Sequence, residues 1–450
     1  MDVARIGLAH GTLDDAITRY RTVRGVADEL GASVGILVDL PGPKVRLGGF
    51  GDHPVLLGTG QRVNLIPGMD HSDDTDLGVD YTDLLVDIHG GDTLAVGDGS
   101  VVLRVESVDG DAAKAIVLHG GMVQGRPGLH IPSDRLSMST PTVEDLRLLD
   151  AFVEEGVDMV AISFVRSAHD IRRVGTEPHP RGPLIVAKIE TRAAVENLDG
   201  IIEASGAIMI ARGDLGTELG IEELPHLQKR ITRDCISGGK PVITATQMFE
   251  SMIVSPAPTR AEVSDVANAI FDGTSAVMLS AETAVGADPV NTVATMSRVA
   301  ERADQEFDYD AWARRIRLLR KSAVGDNTEA KLTDAMTAAA ARAATEMGVS
   351  AIICISESGF TVRSMARFRP SMPIIAFSPQ ERTVRQLSMS WGTVPLRAPN
   401  RVDNLALMDD LVVAARDAGH VQPGETVAVL AGAGGKRSRS TDVLRLARVP

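Results

Sequence analysis

Aromatic residues are scarce in this chain, 3% of 450. That is too few for the stacking platforms with which proteins hold unpaired nucleic-acid bases. An excess of positive charge is missing too: 60 acidic against 46 basic residues give a formal net charge of −14. General binding to nucleic acid or to anionic membranes is thereby excluded, while a local basic site for a phosphorylated metabolite stays open. Only two cysteines occur, Cys235 and Cys354, far apart and in no CxxC pair. They offer no disulfide framework and read as two buried thiols in a reducing compartment. No apolar run reaches bilayer-spanning length and the N-terminus lacks a signal-peptide pattern, so the expected location is the cytoplasm. What is present is 44% hydrophobic and 24% charged residues, enough for two or three domains with sizeable cores.

Two periodicities alternate along the chain. Residues 3–10 read as a strand, 14–30 as a helix, and 35–40 as a strand ending in the turn Pro41-Gly42-Pro43. From about Gly48 to Ile131 the pattern changes to short β-type runs, 62–66, 93–96, 101–105 and 115–118, punctuated by Gly and Asp; this predicts an inserted all-β unit. Its acidic loop, 70–76, lacks the glycine and closing glutamate of an EF-hand and reads as a solvated surface loop. After Thr142 the β–α alternation resumes: a helix over 143–155, then strands 159–164, 184–189, 207–211, 241–245 and 276–279, each followed by a helical stretch. This predicts parallel strands with crossover helices, seven in all, where a closed (β/α)8 TIM barrel needs eight. A charged stretch, 311–331, reads as a connecting helix, and strands 351–355, 373–377, 393–395 and 426–430 predict a separate α/β unit. The expected domains are 1–46 and 132–310 for the barrel, 47–131 for the insert, 311–331 for the linker helix and 332–450 for a C-terminal α/β domain.

Polar residues gather at one place in each β–α unit, just past the strand. They are Arg5 and His10; Asp39, Lys44 and Arg46; Arg166; Lys188 and Glu190; Arg212 and Asp214; Thr246 and Gln247; Ser280 and Glu282. In a barrel these strand ends open at one mouth, where active sites form. A single such residue is explained as a helix cap; the repetition on successive strands is not. Lys188 and Glu190, two apart on a strand, face the same side. They form either a plain salt bridge or a metal-holding carboxylate beside an ammonium that neutralises an oxyanion. The glycines of the run 211–216 let backbone approach a ligand at a helix N-terminus that favours an anion. Asp214 adds a second carboxylate; with Glu190 it suits Mg2+ (or Mn2+). The glycine-rich run 432–436 lacks phosphate-loop spacing and reads as a turn. Cys235 has no matched histidine and reads as core.

Lys188-Ile189-Glu190, the run 211–216 and the run 241–248 (Pro-Val-Ile-Thr-Ala-Thr-Gln-Met) are similar to the pyruvate kinase family. So are Glu250-Ser251-Met252, the run 258–269 (Pro-Thr-Arg-Ala-Glu-Val-Ser-Asp-Val-Ala-Asn-Ala) and the run 278–283 (Met-Leu-Ser-Ala-Glu-Thr). The resemblance spans nearly the whole chain and is strongest between Asp158 and Asn291. It implies a TIM barrel with an inserted small β-barrel domain and an allosteric C-terminal domain, usually assembled as a homotetramer. It implies transfer of a phosphoryl group between phosphoenolpyruvate and ADP, giving pyruvate and ATP in glycolysis, with Mg2+. By the same resemblance Arg5 and Arg46 contact the transferring phosphoryl group, and Lys188 balances charge on it and on the forming enolate. Glu190 and Asp214 bind the divalent ion. The backbone at Gly213 and Asp214, with the Thr246 hydroxyl, holds the substrate carboxylate. Thr246 and Ser280 lie on the route that protonates the enolate, and His10, with Arg46, lies near the nucleotide. Phosphoryl transfer asks for this kind of site, positioning and cationic stabilisation more than covalent chemistry.

The departures from the family carry expectations of their own. Potassium-dependent members usually have Asn and Ser where this chain has Gly7 and Ala9, and Glu where it has Lys44. Lost ligands and a tethered ammonium together predict an enzyme that does not require K+; the other reading of Lys44 is a surface charge. Pro127, after Arg126, stands where the insert's second basic residue is expected. The resemblance also places an opening strand and helix ahead of Met1, the source of the eighth strand. In the C-terminal domain Ser356, Ser358, Gly359 and Thr361 form a hydroxyl-rich turn that suits a phosphorylated effector or ordinary helix capping; Ser440 and Thr441 fall near the second expected effector loop. Two other functions fit fewer residues. A non-catalytic metabolite-binding relative is favoured by the shortened front and Pro127 and opposed by intact Lys188, Glu190, Asp214 and Thr246. A Mg2+-dependent barrel enzyme acting on pyruvate enolate without nucleotide is opposed by the retained insert and Arg46.

Overall fold

The computed structural model describes residues 1–9, 11–97, 99–319, 328–399, 404–432 and 441–450. Seven parallel strands make the sheet that carries the site, in the order Val3–Gly7, Gly35–Asp39, Met159–Ile162, Leu184–Ile189, Ala207–Ala211, Val242–Ala245 and Ala276–Val277. Chain order and spatial order coincide, as short βα crossovers require. Among the described residues the outer strands, Val3–Gly7 and Ala276–Val277, do not pair with each other. Both faces of this wall are covered, so its strands read as near-continuous apolar runs; Gly35–Asp39 and Ala207–Ala211 are buried throughout. Ile36, Val38, Ile208 and Ile210 pack outward under the helices, while Leu37, Met159, Met209 and Ile243 fill the inside.

The turn from strand to helix is written locally. Thr12 with Asp15, Thr142 with Asp145, and Thr259 with Glu262 form reciprocal capping boxes that start the helices Leu13–Glu29, Val143–Glu154 and Arg260–Asp272. Each cap is worth about 1 kcal/mol.

The insert leaves the wall after Asp39 and returns beside its own entry, where Arg46 bridges Gly128. Its main sheet runs Leu129–His130, Thr93–Val96, Val101–Asp109, Ala112–His119, Arg62–Pro67 and Asp76–Val79, with Val55–Leu57 and Gly121–Val123 paired apart. Leu65, Leu94, Leu103 and Val117 belong to a core separate from the barrel's. The C-terminal sheet has the order Thr393–Arg397, Ile374–Ser378, Ala351–Ile355, Thr426–Ala431 and Val443–Arg448, the last antiparallel. The strand Val443–Arg448 is not among those expected from the sequence; its arginines and half-exposed pattern are those of an edge strand. The helix Tyr309–Leu319 begins two residues ahead of the expected linker and fills its first part, while 320–327 falls outside the described residues. Cys235 and Cys354 are both buried. No helix among the described residues is long and apolar enough to cross a membrane.

The C-terminal unit is clamped to the floor of the barrel. Buried Asp158 accepts from Ile36 N at 2.9 Å and from Arg385 Nε at 2.7 Å, and pairs with Arg24. Gln386 Nε2 donates to the Asp158 carbonyl at 2.9 Å. Arg369, 1% exposed, sits within 4.9–5.4 Å of the rings of Phe307, Trp312 and Trp391.

Candidate active site

The strand ends bring Arg5, Asp39, Ser163, Lys188, Glu190 and Ser280 into one contiguous polar network. Asp39 closes the second strand and is 4% exposed. Arg5 Nε donates to its Oδ2 at 2.7 Å, and Lys188 Nζ lies 3.4 Å from its Oδ1. Lys188 Nζ also donates to Ser163 Oγ at 2.7 Å and stands 2.8 Å from Glu190 Oε1. Ser163 Oγ donates in turn to the Leu40 carbonyl at 2.7 Å, which fixes its direction. Arg5 Nη1 lies 3.5 Å from Ser280 Oγ, joining the first strand to the last.

Charge is concentrated here. Burial alone would lower the Lys188 ammonium, but Asp39, Glu190 and Asp214 outweigh it and raise it, so it stays charged. Burial works against the Asp39 carboxylate as well, yet Lys188 and Arg5 hold it below its ordinary value. Glu190 is pushed up, by burial first and by nearby Asp214, against the pull of Lys188. Its Oε2 accepts from Phe164 N at 2.6 Å, whereas Oε1 is buried with only the lysine beside it and no hydrogen bond of ordinary geometry. Lys188 is thus the one positive charge beside Oε1, and the Asp214 carboxylate adds negative charge nearby. The Glu190 and Asp214 carboxylates fit an ion such as Mg2+, which takes few protein oxygens and leaves the rest for water and substrate. No group of three or more His, Cys, Asp or Glu side chains gathers among the described residues, here or elsewhere, so the protein would offer the ion these two carboxylates alone.

The other wall is built by Gly213 and Thr246. Gly213 N donates to Thr246 Oγ1 at 2.9 Å, and that hydroxyl donates to the Ala245 carbonyl at 2.7 Å. A side chain at Gly213 would meet nothing closer than Thr246 at 3.7 Å; packing does not demand glycine there, which leaves approach of a ligand to the backbone. Thr246 and Gln247 both take left-handed φ, 68° and 53°, a strained choice for a β-branched residue. Arg212 holds them so: Nη2 donates to the Thr246 carbonyl at 2.7 Å and Nε to that of Ala245 at 3.2 Å, while Nη1 binds Asp265 at 2.7 Å. Ser280 N donates to buried Glu282 at 2.7 Å.

Arg46 stands where insert meets barrel. Its Nη2 lies 3.5 Å from the Ala9 carbonyl and its Nη1 3.2 Å from that of Arg126. The Arg5 guanidinium lies over Gly7, within 3.8 Å of where a side chain there would begin. Lys44 is exposed; its backbone N donates to the Gly42 carbonyl at 2.8 Å, its ammonium makes no hydrogen bond or ion pair among the described residues, and its stem runs beside Gly128. The structure does not bring Lys44 into the Lys188 network. His10 lies outside the described residues, as do Ser440 and the run 433–436. Ser356, Ser358 and Thr361 lie in the C-terminal unit, far along the chain from the mouth. There Thr361 Oγ1 is 2.6 Å from Thr441 Oγ1, and Ser358 Oγ accepts from Phe360 N at 3.4 Å.

Two corrections follow from the geometry. Arg166 does not face the mouth: its guanidinium donates to the Leu136 and Met138 carbonyls at 3.1 and 2.9 Å and ties down the returning chain. Ser163 takes its place in the network. The strand expected over 159–164 ends at Ile162, and Phe164 turns the chain through a left-handed φ of 55°. Period-two reasoning stops at that turn, so the hydroxyl one residue past the strand goes unseen.

The comparisons with known proteins agree with this architecture. The family described as "Pyruvate kinase, barrel domain" matches residues 1–293, and "Pyruvate kinase, alpha/beta domain" matches 334–447. The pyruvate kinase of Clostridium acetobutylicum is 37% identical over 99% of this chain and 93% of its own length. That of Thermococcus litoralis is 36% identical over 100% of this chain and 94% of its own. A crystal structure of a pyruvate kinase from Cryptosporidium parvum superposes with a TM-score of 0.88 at 30% identity, covering 100% of this chain and 91% of that one. With a seven-stranded barrel wall, an inserted β unit, a C-terminal α/β unit and full-length relatives of one kind, this chain belongs to the pyruvate kinase family.

Proposed function

We propose that this chain transfers a phosphoryl group between phosphoenolpyruvate and ADP, as an alcohol-group phosphotransferase of glycolysis. The observation that carries the reading is the Lys188 ammonium, held charged at the barrel mouth between Asp39, Glu190 and Ser163. A fixed cation in a water-poor site stabilises charge as it develops, which is the main demand of phosphoryl transfer. In this scheme Lys188 faces the transferring group and the enolate oxygen. Arg5 and Arg46 steady the phosphoryl oxygens from the first strand and from the insert. Gly213 N–H, Asp214 and the Thr246 hydroxyl take the carboxylate, and Thr246 and Ser280 serve the proton delivered to the enolate carbon. Glu190 and Asp214 hold the divalent cation, which supplies charge neutralisation on phosphoryl oxygens. His10 and Arg46 flank the nucleotide.

Independence from potassium belongs to the same reading. Gly7 and Ala9 offer no side-chain ligands, and the ammonium of Lys44 has no partner among the described residues. The domain boundaries set out from the sequence, a homotetrameric assembly, cytoplasmic location and effector control through Ser356, Ser358 and Thr361 are further parts of it that rest on family precedent. Pyruvate formation from phosphoenolpyruvate and ADP, with Mg2+ and with or without K+, tests the proposal. Turnover in both conditions supports it. Folded protein that makes no pyruvate in either overturns it, and turnover only with K+ removes the Lys44 account.

A further inference from the structure

The helix Arg212–Leu219 starts with Gly213 and Asp214 at the mouth and ends beside Glu218, one turn beyond Asp214. The Glu218 side chain is 4% exposed and makes contacts in two directions away from its own helix. Towards the insert, Oε2 lies 3.0 Å from His130 Nε2 and accepts from Ser133 N at 3.3 Å, and Oε1 accepts from the Ser133 hydroxyl. Towards the barrel, Oε1 accepts from Arg192 N at 3.3 Å, in the turn that follows the strand of Lys188 and Glu190. Burial alone would raise this carboxyl, but the hydrogen bonds from His130, Ser133 and Arg192 outweigh it and hold it below its ordinary value. A cleft of about 640 Å3 opens at the same place, lined by Thr93 and Ala95 of the insert and by Arg192, Gly213, Thr217 and Gln247 of the barrel.

One buried carboxylate thus joins three pieces: the returning chain of the insert, the turn behind the Lys188 strand, and the helix whose first turn carries Gly213 and Asp214. His130 belongs to the strand that pairs with Ala95 and Val96, so movement of the insert's sheet is felt at its ring. Among the described residues, the polar contacts of Glu218 towards the insert are those with His130 and Ser133. A shift of the insert therefore either pulls the Arg212–Leu219 helix with it or leaves a buried charge with the Arg192 N–H as its one remaining partner among those named, which is costly.

We infer that Glu218 is a positioning residue, coupling the seating of the inserted domain, through His130 and Ser133, to the placement of Gly213 and Asp214. This rests on the function proposed above. The quantity it controls is affinity for the groups that Gly213 and Asp214 hold, the carboxylate of phosphoenolpyruvate and the divalent cation. The nucleotide, assigned above to His10 and Arg46, is not held by this helix. A purely structural tie would instead lower the amount of active enzyme and leave every affinity alone.

The test is steady-state kinetics on the full chain for Glu218→Gln and for the double variant His130→Ala/Ser133→Ala. The double variant removes the donors on the insert's last strand and on the chain returning from it while keeping Glu218, so it serves should Glu218→Gln fold poorly. The expected result is a rise of about 10-fold in the KM for phosphoenolpyruvate and in the half-saturating Mg2+, the scale of effect that a small misplacement produces. The KM for ADP should change by less than about 2-fold, and combining Glu218→Gln with His130→Ala should be non-additive. Unchanged KM values, or equal rises for phosphoenolpyruvate and ADP, overturn the coupling. A wild type without turnover would instead sink the kinase reading itself, so the two failures are distinguishable.

Discussion

His179 is a single residue whose behaviour depends on partners far along the chain. Arg363 Nη2 donates to its Nε2 at 3.0 Å. Burial first, then the charges of Arg363 and Lys240, lower the imidazole from 6.5 to about 3. The folded protein therefore keeps His179 neutral where the unfolded chain takes up a proton. Its contribution to stability is present above pH 6.5 and is lost progressively as pH falls towards 3. The slope from this group is at most about 1.4 kcal/mol per pH unit. Melting temperatures measured from pH 7 to 4 should fall more steeply for the wild type than for His179→Gln, which keeps an acceptor for Arg363. Identical slopes would contradict this. Nothing in the local sequence marks His179 as unusual. Lys188 and Glu190 are the opposite case: two apart on an apolar strand, they must share one face, and they lie 2.8 Å apart. Asp39, one of the polar residues the sequence places at the strand ends, completes their surroundings together with Ser163, which no local pattern announces. Ser163 is hidden behind the left-handed turn at Phe164.

Among the elements, the barrel strands are legible because parallel strands covered on both faces are nearly all apolar. The helix starts are legible from Thr-x-x-acid boxes such as Thr142 with Asp145. The edge strand Val443–Arg448 is not, since its exposed arginines hide the alternation. Nor is the loop conformation after Val242–Ala245, where Thr246 and Gln247 adopt strained φ. That loop depends on Arg212, which collects the carbonyls of Ala245 and Thr246 and binds Asp265. Arg212→Met should cost about 2 kcal/mol in denaturant unfolding, a figure reduced for the partial exposure of Asp265. It should lower turnover by more than the lost folded fraction, because Thr246 is released from its position. Wild-type stability in the variant would show that the loop holds itself.

Across the molecule, the change of periodicity near Gly48 and its return after Thr142 make the three-part plan readable. The junction between parts is not readable. Arg24, Asp158 and Arg385 meet across separations of 134 and 227 residues, and Trp312 Nε1 reaches the Arg367 carbonyl at 2.9 Å. Such pairing is a property of packing between units and leaves no mark in local sequence. Asp158→Ala removes the centre of this clamp and strands two guanidinium groups. It should destabilise by about 3–5 kcal/mol. In calorimetry it should split one cooperative transition into separate melting of the barrel and C-terminal units. A single transition at the wild-type temperature would mean that the Arg369 cage suffices.

All of the proposed chemistry depends on the Lys188 ammonium balancing charge in the transferring phosphoryl group and the enolate. Lys188→Met keeps the length of the side chain and removes the charge, leaving Asp39 and Glu190 without their shared cation. The direct measurement is the initial rate of pyruvate formation from phosphoenolpyruvate and ADP with saturating Mg2+, for wild type and Lys188→Met, with folding checked by circular dichroism. The expected result is a loss of kcat of at least about 1000-fold with the fold retained. A folded Lys188→Met enzyme that turns over within about 10-fold of the wild type would contradict that role.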